Sequence, residues 1–355
     1  GECGVPYPGN RGCPKADPHT LRRRPTPVRA MLESPESVPI RIGTAGWSYE
    51  DWKGVVYPLR PAPRFDPLEF MASLFDTNEI NSTFYRIPTV HSTREWARRV
   101  AHNSRFAFSA KLFRGFTHER TAGAREEKEF LDAMAPLAEE GRLSSVLIQF
   151  PVSFRNTAEN REALDSLLGR FEALAPAAEF RHGSWDAEDA RAVLAAHGAL
   201  FVNIDQPWIG ENLRTTDHVA PGRAYYRLHG RNAAKWFGPD TSNEQRYDFL
   251  YSEGQLRKFA GRLSRSAAEA ERLARVGPAP AGTSGVTAIL NNHFRGQAVA
   301  NAIELQHLLA GEVVTAPASL SETYPSLARI TQPAPPERGP SQGSLFAAPS
   351  SGKGP

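Results

Sequence analysis

Eight short apolar runs, at residues 40–44, 77–80, 106–110, 146–149, 177–180, 200–204, 224–228 and 287–290, each lead into a polar or charged cluster. Stretches with helical periodicity separate them. The pattern predicts helices over 67–75, 92–101, 125–140, 157–170, 186–197, 246–275 and 297–309. Pro136 is expected to kink or shorten the third of these. Asn156 or Thr157 is placed to cap the fourth, Gly198 to stop the fifth and Gly311 the last. No helix is legible after the sixth run, where residues 206–220 read as loop, and 278–285 read as a Pro/Gly/Ser linker. A strand–helix unit repeated eight times predicts an α/β fold, a single (β/α)8 TIM barrel over residues 40–311.

The flanks lack this periodicity. Residues 1–39 are rich in Pro, Gly and Arg and read as a disordered tail, with Met31 nine residues ahead of the first run. The stretch before Met31 reads as linker or as an over-extended start. Residues 312–355 read as a second tail, turning Pro/Ser/Ala-rich from about Ala316 and disordered from Gln332.

Composition narrows the class. The 355 residues suffice for one barrel of about 250 residues plus tails. With 40% apolar and 23% charged residues the chain reads as a soluble globular protein. The balance of 42 Lys+Arg against 39 Asp+Glu leaves a net charge of +3, which by itself does not point to nucleic acid. Cys3 and Cys13 both lie in the N-terminal tail, so the barrel has no disulfide framework and no cysteine-based zinc site. No apolar run approaches the roughly 20 residues of a membrane span, and no signal-like stretch opens the chain, which predicts a cytoplasmic protein.

Barrels of this kind carry their chemistry at the C-terminal ends of the strands. Reading just past each run gathers Trp47 and Tyr49; Glu79, Asn81 and Tyr85; Lys111; Gln149; Glu179, Arg181, His182 and Trp185; Asn203 and Asp205; Arg227, His229 and Arg231; and Asn291, Asn292 and His293. Side chains alternate along a strand, so Glu179 and Arg181 share one side while Phe180 and His182 share the other. Polar groups near a barrel axis are costly unless paired, so finding them at almost every strand end points to a ligand pocket. A solvated rim or a buried ion-pair network such as Glu79–Lys111 or Glu179–Arg227 is the plainer alternative.

Two chemistries compete within that set. Lys111, Arg181, Arg227 and Arg231 form a candidate anion cradle. His182, His229, His293, Glu79, Glu179 and Asp205 are the ligand types of a divalent-metal site, although no short spacing such as HExxH marks one. Glu79, Glu179 or Asp205 are the candidate general bases, with His229 or His182 as acid. The aromatics of the same rim suit stacking on a base or sugar, or simply packing of the loops. Trp236, beside Lys235 in a Gly-flanked loop, is the candidate for closing over a ligand.

Nine motifs in order resemble one family. They are IGTAGW (42–47), EINSTFYRIP (79–88), FAFSAK (106–111), THE (117–119), LIQFP (147–151), EFRHGSW (179–185), YRLHGR (226–231), YDFLYSE (247–253) and NNHFRGQAVAN (291–301). Together they closely resemble the YecE-like family, domain of unknown function 72, from about Ile40 to Leu309. The resemblance implies a (β/α)8 barrel and supplies no established reaction. That barrel has been likened to endonuclease IV and the xylose isomerases, a likeness of fold alone.

In the C-terminal tail, QGSLF (342–346) resembles the peptide by which bacterial repair and replication proteins bind the sliding clamp. Gln342 offers an amide, and Leu345 and Phe346 offer an apolar pair on a flexible tether. Three functions follow as expectations. The first is a hydrolase acting on a phosphorylated or nucleic-acid substrate, in the setting of DNA repair. The second is a sugar isomerase or lyase, and the third a non-catalytic nucleic-acid or small-ligand binder.

Overall fold

The computed structural model describes residues 38–236, 243–277 and 282–333. Each expected run forms a strand: β1 (Ile40–Ala45), β2 (Thr77–Ile80), β3 (Ala107–Lys111), β4 (Leu143–Gln149), β5 (Pro176–Glu179), β6 (Leu200–Asp205), β7 (Arg223–Leu228) and β8 (Gly285–Leu290). All pair in parallel and in sequence order. The barrel closes where β1 meets β8, in the register Ile40↔Val286 to Thr44↔Leu290. Parallel strands buried on both faces read as near-continuous apolar runs, which is why the pattern was visible.

The outer layer contains α1 (Pro67–Leu74), α2 (Val90–Arg99), α3 (Ala124–Glu139), α4 (Ala158–Arg170), α5 (Glu188–Ala196), α6 (Glu253–Ala274) and α7 (Gln297–Ala310). Side chains that accept orphan backbone N–H groups set the starts of several of them. Asp66 accepts from Leu68 and Glu69 ahead of α1, and Thr157, not Asn156, accepts from Asn160 at the start of α4. Pro136 does not break α3. It sits buried near the end, and the helix runs on to Glu139. The segment between β6 and β7 is loop, as the sequence predicts.

Two departures have physical causes. The helical stretch expected over 246–275 is divided. A single turn at Asn243–Arg246 precedes an extended link, and α6 starts only after Ser252, which forms a capping box with Gln255. The link is pinned by α7: Phe249 N donates to Gln297 Oε1 (2.8 Å), and Asn301 bonds both the N (2.9 Å) and the O (3.0 Å) of Tyr251. Second, the chain after Gly311 is not a simple tail. Val314–Ala316 and Thr331–Pro333 pair as a small parallel sheet around the helix Ala318–Thr323. Val314, Ala316, Leu320 and Leu327 are buried in the same apolar cluster as α7. Gln342, Leu345 and Phe346 lie outside the described residues.

Close approach of backbones fixes the top of β1. A Cβ on Gly43 would lie 1.9 Å from the Thr77 carbonyl oxygen, so only glycine lets β1 sit against β2 here. Gly46, at φ +77°, then turns the chain so that Tyr49 folds back and donates to the Ala45 carbonyl (2.6 Å).

If residues 312–333 are part of the folded unit, Leu320→Ala will cost about 2–5 kcal/mol, the usual range for emptying a fully buried leucine site. Urea unfolding of the full chain checks this. A midpoint equal to that of the unsubstituted protein would show that the segment contributes nothing to the core.

Candidate active site at the barrel mouth

Alternation along β7 sends Arg223, Tyr225 and Arg227 toward the axis, with His229 following on the same side. Tyr226 and Leu228 pack outward with α6. Arg227, 1% exposed, is the centre of the arrangement. Its Nε and Nη2 reach Glu79 Oε2 (2.8 Å) and Oε1 (2.5 Å) as a bidentate fork, and its Nη1 donates to Glu179. Arg181 Nη2 lies 2.7 Å from the other oxygen of Glu179. Tyr225 Oη is within 2.7 Å of both Glu79 Oε2 and Ser109 Oγ. The expected sharing of one side by Glu179 and Arg181 is therefore realised as an ion pair. Two carboxylates and two guanidiniums make a neutral set.

That pairing decides what these groups can do. Burial raises the carboxyl of Glu179, but Arg181 and Arg227 outweigh it and hold the group well below the usual carboxylate range. His229 is fully buried. Burial, with Arg181 second, lowers its imidazole to about 3, so it is neutral. Asn291 Nδ2 donates to its Nδ1 (2.9 Å). Glu79, Glu179 and His229 do not line the cavity at the mouth. They meet it through Arg227 and Asn291, which do.

The cavity encloses about 730 Å³. Trp47, Tyr49, Asn81, Tyr85, Lys111, Arg227, Asn291 and His293 of the predicted set line it. Tyr49 stacks on His293 with ring centres 4.5 Å apart, and Tyr247 lies 5.1 Å from the same imidazole. Lys111, at the end of β3, extends its ammonium over the Phe84 ring, 4.0 Å from the centroid. Among the described residues it makes no hydrogen bond or ion pair through Nζ. Burial first, and Arg227 second, lower its amine to about 7. The acidic rim residues are engaged elsewhere: Glu50 pairs with Lys53 (2.6 Å), and Asp51 accepts from the Arg295 N–H (2.6 Å).

Other predicted residues are not brought here. On β6, Asp205 shares the side of Phe201 and Asn203, which face the 206–222 loop, while Val202 and Ile204 face inward. Asp205 accepts from both Nε and Nη2 of Arg231, and from Thr215 and Tyr251, so neither it nor Arg231 lines the cavity. His182 caps the turn Gly183–Trp185 through Ser184 and meets Glu211 at 3.3 Å. Trp185 is wholly buried, stacked on Phe154 and Phe180. It packs the barrel wall and is not free to stack on a ligand. Asn292 bonds Phe249 O and Asn301 and, like Asn301, is fully buried. The side chain of Trp236 lies outside the description. Among the described residues, no group of three or more His, Cys, Asp or Glu side chains converges to hold a metal ion.

The strand-end reading missed Tyr247 as a site residue. Its place in the cavity wall depends on the break before α6, which helical periodicity conceals. Gln149 and Ser82 were legible at strand ends and also line the cavity.

Arg227→Met tests the central pairing. Leaving two buried carboxylates short of their partner costs about 3–5 kcal/mol at pH 8. In the unsubstituted protein Glu179 is depressed, so its contribution to stability is present above its ordinary value of about 4.3 and lost as pH falls below it. In the variant the sign reverses: protonation relieves the buried charge, so the loss shrinks toward pH 5. Urea unfolding at pH 5 and pH 8 reads this directly, and an equal loss at both would contradict it.

No curated protein matches the chain. Residues 41–324 match the model of a family described as a protein of unknown function, DUF72. A DUF72 family protein of Thermotoga maritima is 32% identical with a TM-score of 0.63, over 76% of this chain and 98% of that one. One from Enterococcus faecalis is 25% identical with a TM-score of 0.64, over 76% and 95%. Sequence, barrel and matched length agree, and the chain belongs to the DUF72 family.

Proposed function

We propose that the barrel mouth binds a small organic anion, carrying a carboxylate or a phosphate ester, and acts on it by proton transfer. The observation that carries this reading is the unbalanced charge of Lys111. Beneath it Glu79, Glu179, Arg181 and Arg227 cancel, and His229 is neutral. A protonated Lys111 therefore places a positive charge in a partly desolvated part of the cavity, where an anion gains most, while Glu50 and Asp51 also line it. Amides of Asn81, Gln149 and Asn291 and the rings of Tyr49 and Tyr247 provide hydrogen bonds and flat walls for an oxygen-rich skeleton.

The hydrolytic reading needs a free carboxylate base or a converging metal-ligand set. Glu79 and Glu179 are committed to Arg227, and Asp205 to Arg231. Lys111 is instead the group whose protonation changes near neutrality, the range in which a general acid or base works best. A phosphate-bearing substrate remains within the reading. An extended duplex is less well suited, because the cations at the floor are already paired.

Inorganic phosphate and small mono- and dicarboxylates should bind the full chain, and Lys111→Met should weaken them about 10- to 100-fold, as expected for a charge-assisted contact. The unsubstituted protein should bind more weakly as pH rises through about 7, because the amine then loses its proton. The variant should lack that slope. Calorimetric titration between pH 6 and 9 checks both. Affinities that are equal in the two proteins across this range would refute the reading.

A further inference from the structure

Arginine supplies nearly every cation in this chain. Only seven of its 42 basic residues are lysines: Lys15, Lys53, Lys111, Lys128, Lys235, Lys258 and Lys353. Among the described residues Lys53, Lys128, Lys235 and Lys258 are exposed, while Lys111 alone is withdrawn from solvent. The buried cations, Arg41, Arg223 and Arg227, are arginines. An anion alone would be held at least as well by a guanidinium, whose fork matches carboxylate and phosphate. What an amine adds is a lone pair, because it deprotonates and arginine does not.

The surroundings of Lys111 suit that use. Its nitrogen has an aromatic face for a neighbour and, among the described residues, no carboxylate in ion-pair contact to hold it protonated. The Thr83 hydroxyl donates to its backbone carbonyl (2.6 Å), which fixes the main chain from which the amine extends. Burial, then Arg227 and Arg181, favour the uncharged amine and outweigh Glu179 and Glu79, which favour the ammonium. A lysine desolvated beside a second cation is the setting in which amines become nucleophiles toward carbonyl carbon. The strand-end position also places it where a ligand in the 730 Å³ cavity meets it.

We propose that Lys111 is a covalent catalyst, forming an imine with an aldehyde or ketone that also carries a carboxylate or phosphate, so that the iminium keeps the positive charge which that anion meets. This rests on the proposed anion site and narrows its ligand to a carbonyl-bearing acid or phosphate ester. The neutral amine's lone pair forms the new C–N bond while the carbonyl π pair moves to oxygen. The oxygen takes two protons from the original ammonium group and leaves as water. The net change joins the lysine ammonium and the carbonyl compound to give a protonated imine and one water, and it needs no oxidant, reductant or co-reactant. Lys111 is thus the catalytic residue, and Asn81, Gln149, Asn291 and Tyr247 line the space in which the departing oxygen is received.

The test uses the full chain with pyruvate and dihydroxyacetone phosphate as separate probes, reduced with sodium borohydride and mapped by peptide mass spectrometry. The expected result is one reduced adduct on Lys111, formed at least about tenfold faster than on any exposed lysine at pH 7. Lys111→Arg keeps the charge and should abolish that adduct while still binding phosphate. Adducts spread over the exposed lysines at one common rate, or none with either probe, overturn the imine. If phosphate affinity still depends on Lys111 in that case, the anion site stands without it. If it does not, both readings fall together.

Discussion

Arg227 is the constraint on which the barrel mouth depends. A single guanidinium on the axis satisfies Glu79 from β2 and Glu179 from β5, two strands that are not neighbours in the barrel. Charges removed from water are tolerated only when paired in good geometry. The pairing therefore joins strands that backbone hydrogen bonds cannot join directly. It also commits these carboxylates to a framework, so the surface open to a ligand is a thin layer above it. Lys111 and the amides of Asn81, Gln149 and Asn291 belong to that layer.

This separation explains the character of the cavity. Over a neutral floor, Lys111 adds a charge that the Arg227 network does not cancel. The amine is not strongly protonated at neutral pH because the same burial that excludes water from it also disfavours its charge. In the proposed function, binding and reactivity draw on one group in its two protonation states.

The barrel itself was legible because its strands are buried on both faces, and uninterrupted apolar runs leave a clear mark. That Glu179 and Arg181 share a side was legible from strand parity, and the Glu179–Arg227 pair was an expected one; Glu79, expected opposite Lys111, pairs with Arg227 instead. Parity also accounts for Asp205: it sits on the side of Asn203, which faces the 206–222 loop. Packing was one of two readings open for Trp185, and the sequence alone did not decide between them, because Phe154 and Phe180, which stack on it, come from separate segments. The order after Gly311 was hidden for a related reason. Its composition is that of a tail, and only contact with α7 supplies the burial that a Pro/Ser/Ala-rich stretch cannot supply alone.

Asn301 clasps Tyr251 from both backbone sides and also receives Asn292, while sitting on α7 outside the cavity. The wall carrying Tyr247 is thus set by a residue that does not itself line the cavity. Drift at such a remote clasp offers descendants of this chain a way to reshape ligand preference while leaving every lining residue unchanged.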